Sequence, residues 1–136
     1  MSAAWPLQRA LHAALLADPE VSALVGGRVF DRVPRPAPGT AAPYLVIGEA
    51  AASDRSCTAV AGEEHTLQVT AVSRAAGHGE AKRLLAAVAV ALEAQPLAPE
   101  GHVLVSLFVR ETRFETARDG RTTLGRMRLR AVTEGL

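Results

Sequence analysis

Leu7, Ala10, Leu11, Ala14 and Leu15 recur at the spacing of one helical face, with Pro6 acceptable in a first turn and Pro19 soon after the end. A helix over residues 5–17 is therefore predicted. Asp18 suits the next N-cap and Pro19 its first position, while Gly26 and Gly27 supply a stop, so a short second helical turn runs through Leu24. Residues 28–33 alternate as a half-buried strand does, and Pro34, Pro36, Pro38 and Gly39 force a loop after them. Two more strands are predicted at 44–48 and 63–73, the second carrying Thr66, Val69, Thr70 and Val72. The polar, alanine-rich stretch 51–62 between them reads as a mobile loop.

Over residues 80–94, Ala81, Leu84, Leu85, Val88 and Leu92 make a continuous apolar stripe bounded by Gly77, Gly79 and Pro96. Between Leu84 and Leu92 no side chain is polar, so the opposite face, Ala87, Val90 and Ala94, is apolar as well. Two readings stand for that face: alanine filling exposed helix positions, or burial at a subunit interface.

The last third reads as one long hairpin, 103–117 against 121–133, with Asp119-Gly120 suited to a two-residue type I′ turn. Arg118 would then face Arg121. Counting back puts Phe114 opposite Gly125, Thr112 opposite Met127, Arg110 opposite Leu129 and Phe108 opposite Ala131, on one mostly apolar face. The other face would hold Glu111, Arg113 and Glu115 beside Arg126, Arg128 and Arg130, with Glu111 across from Arg128. A slip of one residue would throw three arginines into the core, so the register is expected to hold. The order of elements predicts a single α+β domain over 1–136: a two-layer sandwich, with a mostly antiparallel sheet of about five strands and two main helices packed on one face.

A chain of 136 residues, 49% hydrophobic and 21% charged, fits one domain. A net charge of +1 disfavours a protein whose main task is gripping polyanions. Cys57 is the single cysteine, so an internal disulfide is excluded and a reduced, intracellular setting is expected. The N-terminal stretch has no signal-peptide pattern, and no apolar run approaches the roughly 18 residues of a membrane span, so a soluble chain is expected.

Candidate chemistry is sparse. His12, His65, His78 and His102 are scattered without ligand spacing, and no metal site is expected. Ser53-Asp54-Arg55-Ser56 has no histidine nearby in sequence, and Glu63-Glu64, which would point to opposite faces of a strand, reads as strand-entry solvation. The turn Gly77-His78-Gly79-Glu80-Ala81-Lys82 has a nucleotide-like start. However, Lys82 stands where a third glycine belongs, and Glu80 would sit at the phosphate, so it reads as a flexible connection into a helix. With 4% aromatic residues, the arginines of the hairpin suit a solvated face or a polar subunit contact better than base stacking. No catalytic residue and no cofactor is assigned.

Several blocks, read in order, carry a resemblance: Gly27-Arg28-Val29-Phe30-Asp31-Arg32-Val33-Pro34, Pro43-Tyr44-Leu45-Val46-Ile47-Gly48-Glu49 and Glu64-His65-Thr66-Leu67-Gln68-Val69. Ser73-Arg74, Glu80-Ala81, Gly101-His102, Asp119-Gly120-Arg121 and Arg130-Ala131-Val132-Thr133-Glu134 continue it over nearly the whole chain. Together they resemble the small tail-completion proteins of tailed phages, prophages and gene transfer agents, with Val72 standing where such proteins often carry an aromatic. The resemblance implies a non-enzymatic tail terminator, a homohexameric ring on the last ring of the tail tube at the tail–neck junction, assembled in the bacterial cytoplasm. Its implied partners are copies of itself, the tail tube protein and a neck stopper or adaptor protein. DNA would traverse the lumen without specific binding, and no membrane is involved.

A ring needs two different patches on every copy. Ala87, Val90 and Ala94 are the candidates for one, and the hairpin, with Arg113, Arg126, Arg128 and Arg130, for the other. The loop bearing Asp54 and Arg55 is expected to reach toward the tube or lumen and to order on docking. Other proteins of the same particle, a neck stopper or a tube protein, are the alternative, and a small nucleotide-binding enzyme a remote one.

Overall fold

The structure, a computed structural model, describes residues 2–32, 41–57 and 59–136. The proline-rich loop predicted at 34–39 lies outside the described residues. The first helix, α1 (Ala4–Ala17), buries Leu7, Leu11 and Leu15 completely, as their four-residue spacing requires. Asp18 leaves the helix in an extended conformation and accepts a hydrogen bond from the Val21 amide at 3.0 Å. It thereby caps α2 (Pro19–Val25), which ends at left-handed Gly26, φ 57°.

Five strands follow in the spatial order β1-β2-β3-β5-β4: β1 (Val29–Phe30), β2 (Tyr44–Asp54), β3 (Gly62–Ser73), β4 (His102–Thr116) and β5 (Thr123–Gly135). β1 runs parallel to β2, and every other pairing is antiparallel. α3 (Gly79–Ala94) crosses over from β3 and packs with α1 and α2 on one side of the sheet. Leu45, Ile47, Leu67, Val69, Met127 and Leu129 meet the helices there, so the two-layer α+β sandwich is as the pattern predicts.

Several expectations change. The strand read at 28–33 shortens to Val29–Phe30, which pairs only with Leu45 and Val46. The loop read at 51–62 shrinks, because Ala51 to Asp54 continue β2 beyond a bulge and pair with Thr66 to Glu63. β3 offers a ladder along its whole length, and these pairings override the weak strand preference of alanine. In α3, Ala87 is in the core and is therefore no part of an outer face, whereas Val90, 60% exposed, and Ala94 point outward. The wide buried stripe arises because α3 packs both down onto the sheet and sideways against α1 and α2 in the same layer, so its own chain covers it on two sides. Val72 is buried in the row between Tyr44 and Leu124.

The hairpin keeps its expected register from the turn to Glu111, which pairs with Arg128. The connection spans four residues and not two: the Ala117 amide donates to the Thr122 carbonyl at 2.7 Å, and Asp119 accepts from the amides of Arg121 and Thr122. Arg118 and Arg121 thus lie in the loop instead of forming its last rung. Beyond Glu111 the register slips by one, so that Val109 opposes Leu129 and Leu107 opposes Ala131, where Arg110 and Phe108 were expected. The bulge has a physical reason: it takes a guanidinium off the core side and gives Leu129 an apolar neighbour.

Phe114 covers Gly125 across the hairpin. A Cβ on Gly125 would stand 2.9 Å from both Leu85 Cδ1 and the Phe114 ring. Gly125→Val is expected to lower stability by about 1–3 kcal/mol, seen as a lower urea midpoint at unchanged slope.

His65 is buried at 2% exposure, with Nε2 2.9 Å from the Thr133 hydroxyl. Burial lowers its pKa and the charge of His102 adds to this, while Glu63 opposes both. The folded state therefore holds the proton less well than the unfolded chain, and stability falls as pH drops below 6.5. Urea midpoints measured from pH 7.5 to about 5 should fall less in His65→Asn than in the parent.

Candidate functional site

The helices leave the other side of the sheet uncovered, and the alternation of β5 decides what appears there. Arg126, Arg128 and Arg130 point away from the core while Gly125, Met127, Leu129 and Ala131 are buried. Neighbouring rows add Thr66, Gln68 and Thr70 of β3, with Phe108, Glu111, Arg113 and Glu115 of β4. The four hairpin arginines read from the sequence therefore share one face. Ala87, Val90 and Ala94 lie on the opposite layer and are not brought to it.

Most of the arginine charge is answered within the chain. Glu64 accepts from Arg130 Nε at 2.8 Å and Nη2 at 2.9 Å, a bidentate fork, and from Arg55 Nη1 at 3.2 Å. Glu115 pairs with Arg126, and Glu111 lies 3.7 Å from Arg113 Nε. Arg128, at the centre between Gln68 and Glu111, has no ion pair among the described residues. Shallow depressions of about 190 and 300 Å³ flank it, lined by Arg126 and Arg113 on one side and by Arg110, Thr66 and Arg130 on the other. The hydrogen bonds from Arg130 hold Glu64 at about 2, with desolvation opposing, and the same contact raises Arg130.

Glu64 is the residue of this face that the sequence reading passed over. Its signal was present in the alternation of β3, which sets Glu64 on the same side as Thr66 and Gln68. Glu63 goes to the other side, where it accepts the Ala3 amide at 2.5 Å and the Ser2 hydroxyl at 2.8 Å and so fastens the start of α1. Asp54 ends β2 and is occupied by the Ser56 amide and hydroxyl, which lower its pKa. Arg55 joins the arginine face through Glu64. The connection that these two residues begin is short, since the Arg55 amide donates to the Gly62 carbonyl at 2.8 Å.

The polar groups of the turn at 77–82 are engaged within the chain. Glu80 accepts from the Ser73 hydroxyl at 2.7 Å, His78 Nε2 lies 3.1 Å from the Thr116 hydroxyl, and Lys82 Nζ sits 5.5 Å from the Phe114 ring centre. Among the described residues no three His, Cys, Asp or Glu side chains gather as metal ligands. A groove of about 880 Å³ lies beside the start of α1 at one end of the sheet, with Trp5, Asp54, Glu63 and His102 on its walls. The arginine face carries only shallow depressions, and most of its charge is paired within the chain.

Residues 9–134 match the family described as tail completion protein gp17. A chain from the virion of a native gene transfer agent particle shares 30% identity, with a TM-score of 0.88 over 98% of both chains. The bacteriophage SPP1 gp17 protein shares the fold at 24% identity and a TM-score of 0.59, over 92% of this chain and 86% of that one. Among curated proteins there is no match.

The Glu64–Arg130 fork has a pH signature. A carboxylate whose pKa is depressed on folding supports the fold above its unfolded value of 4.5 and loses that support as pH falls toward about 2. Carboxyl carbon NMR should place the Glu64 midpoint near 2 in the parent, and Arg130→Gln should move it up toward 4.5.

Proposed function

The chain belongs to the tail completion protein gp17 family, and from that premise we propose that it is a tail terminator. Six copies form a ring on the last ring of the tail tube, halt the growth of the tube and present a surface to the neck proteins. The observation that carries this reading is the likeness, end to end, to a chain of a gene transfer agent virion at 30% identity. A likeness over 98% of both chains supports a place in a particle of the same kind.

The arginine face fits the inside of such a ring. DNA crossing a lumen lined with free arginines would be held by its phosphates, each contact adding affinity through counterion release. Here Glu64, Glu111 and Glu115 answer the guanidinium groups in advance. The face stays polar and hydrated while its attraction for phosphate is reduced, so DNA passes without specific binding. Asp54 and Arg55 lie at one end of the sheet, where they would face the tube, and the partners are copies of the chain, the tail tube protein and a neck stopper or adaptor. The ring would stand at the tail–neck junction of a particle assembled in the bacterial cytoplasm.

Solution mass measurement with negative-stain imaging, alone and on purified tail tubes, tests the reading. Closed sixfold rings are expected, with tubes that stop lengthening once capped. Open filaments of this chain would instead assign it to the tube, and a single chain that leaves tube growth unaltered would remove the terminator role.

A further inference from the structure

The sheet has two open edges, and they complement one another. On one side β4 is the last strand, and Val103, Val105, Phe108 and Val109 are 45–55% exposed along it. A long edge strand with bare apolar residues is a template for pairing with another chain. On the other side β1 covers β2 only at Leu45 and Val46. From Ile47 to Asp54 the outer edge of β2 carries no strand among the described residues, and Ala50 to Asp54 are exposed.

We infer that β4 of one copy pairs with residues 47–54 of β2 in the next copy, so that the sheets join edge to edge around the assembly. This inference rests on the ring reading above and names its contact. Strand direction permits it: β2 is antiparallel to β3, β3 to β5 and β5 to β4, so β2 and β4 run in opposite directions and a neighbour brought in by rotation continues the antiparallel order. Height permits it as well. One row across the sheet runs Ala51, Thr66, Arg130, Phe108, which sets the small Ala51 level with the bulky Phe108 of an adjacent copy.

Because the two edges differ, the contact is head-to-tail and generates a ring or an open array, not a twofold dimer. In the joined sheet the arginine faces of successive copies become one continuous lining. The helices lie on the other side.

Phe108→Arg and Ala51→Arg test both halves of the contact, since each places a charge on an exposed position of one edge. Melting curves serve as the control for folding. Each variant alone should lose the six-chain species seen with the parent, because one blocked edge per copy leaves no closed ring. An equimolar mixture should form a two-chain species: β4 of the Ala51→Arg chain still meets β2 of the Phe108→Arg chain, while the opposite contact sets arginine against arginine. Variants that still form rings of parental mass would overturn the edge pairing and leave the ring reading standing. Loss of assembly by Phe108→Arg alone would also overturn it, in favour of a β4–β4 contact. A parent chain that forms no ring, alone or on tail tubes, would overturn both.

Discussion

One constraint governs the molecule: a sheet with helices on a single side must put alternate residues into a packed core and into water. β5 obeys it along its length. Thr123, Gly125, Met127, Leu129, Ala131 and Thr133 are buried, and the residues between them include Arg126, Arg128 and Arg130. The arginine face is thus a direct consequence of how β5 alternates, and it stays in place because moving β5 by one residue would bury three guanidinium groups. The composition of the exposed face is fixed by the same interaction that fixes the core.

The adjacent glutamates use this alternation in two directions. Glu63 turns to the helix layer and fastens the start of α1 through the Ala3 amide, while Glu64 turns outward and ties β3 to β5 through Arg130. A one-residue difference in sequence separates a contact that holds the two layers together from one that sets the charge of the exposed face. The bulge at Arg110 follows the same logic. Strict alternation in β4 would have set an arginine against Leu129, and one extra residue exchanges it for Val109.

The edges of the sheet add a second level of order. β4 lies farthest from the helices' cover, so its apolar residues are left half bare, and β1 is too short to close the far side. A sheet whose two ends are unfinished in different ways suits a molecule that completes itself by repetition. Its paired arginines give that sheet a polar face whose charge is largely compensated within the chain.

By itself the sequence determined whatever depends on neighbours a few residues away. The spacing of Leu7, Leu11 and Leu15, the Asp18 cap with Pro19, the stop at Gly26, the stripe of α3, and the alternation that gathers Arg113, Arg126, Arg128 and Arg130 are all local patterns, and each survives in the fold. The family resemblance was legible for a related reason, since blocks in a fixed order record a whole fold at once. Tertiary structure alone decided the rest. Ala87 is buried because α3 packs against segments that are distant in the chain. Ala51 to Asp54 are a strand because β3 offers them a ladder, Glu64 matters because Arg130 comes to it from sixty-six residues away, and Arg110 is displaced because Leu129 lies across from it. In each case the deciding energy is a contact between distant segments, and local propensity is too weak to foresee it.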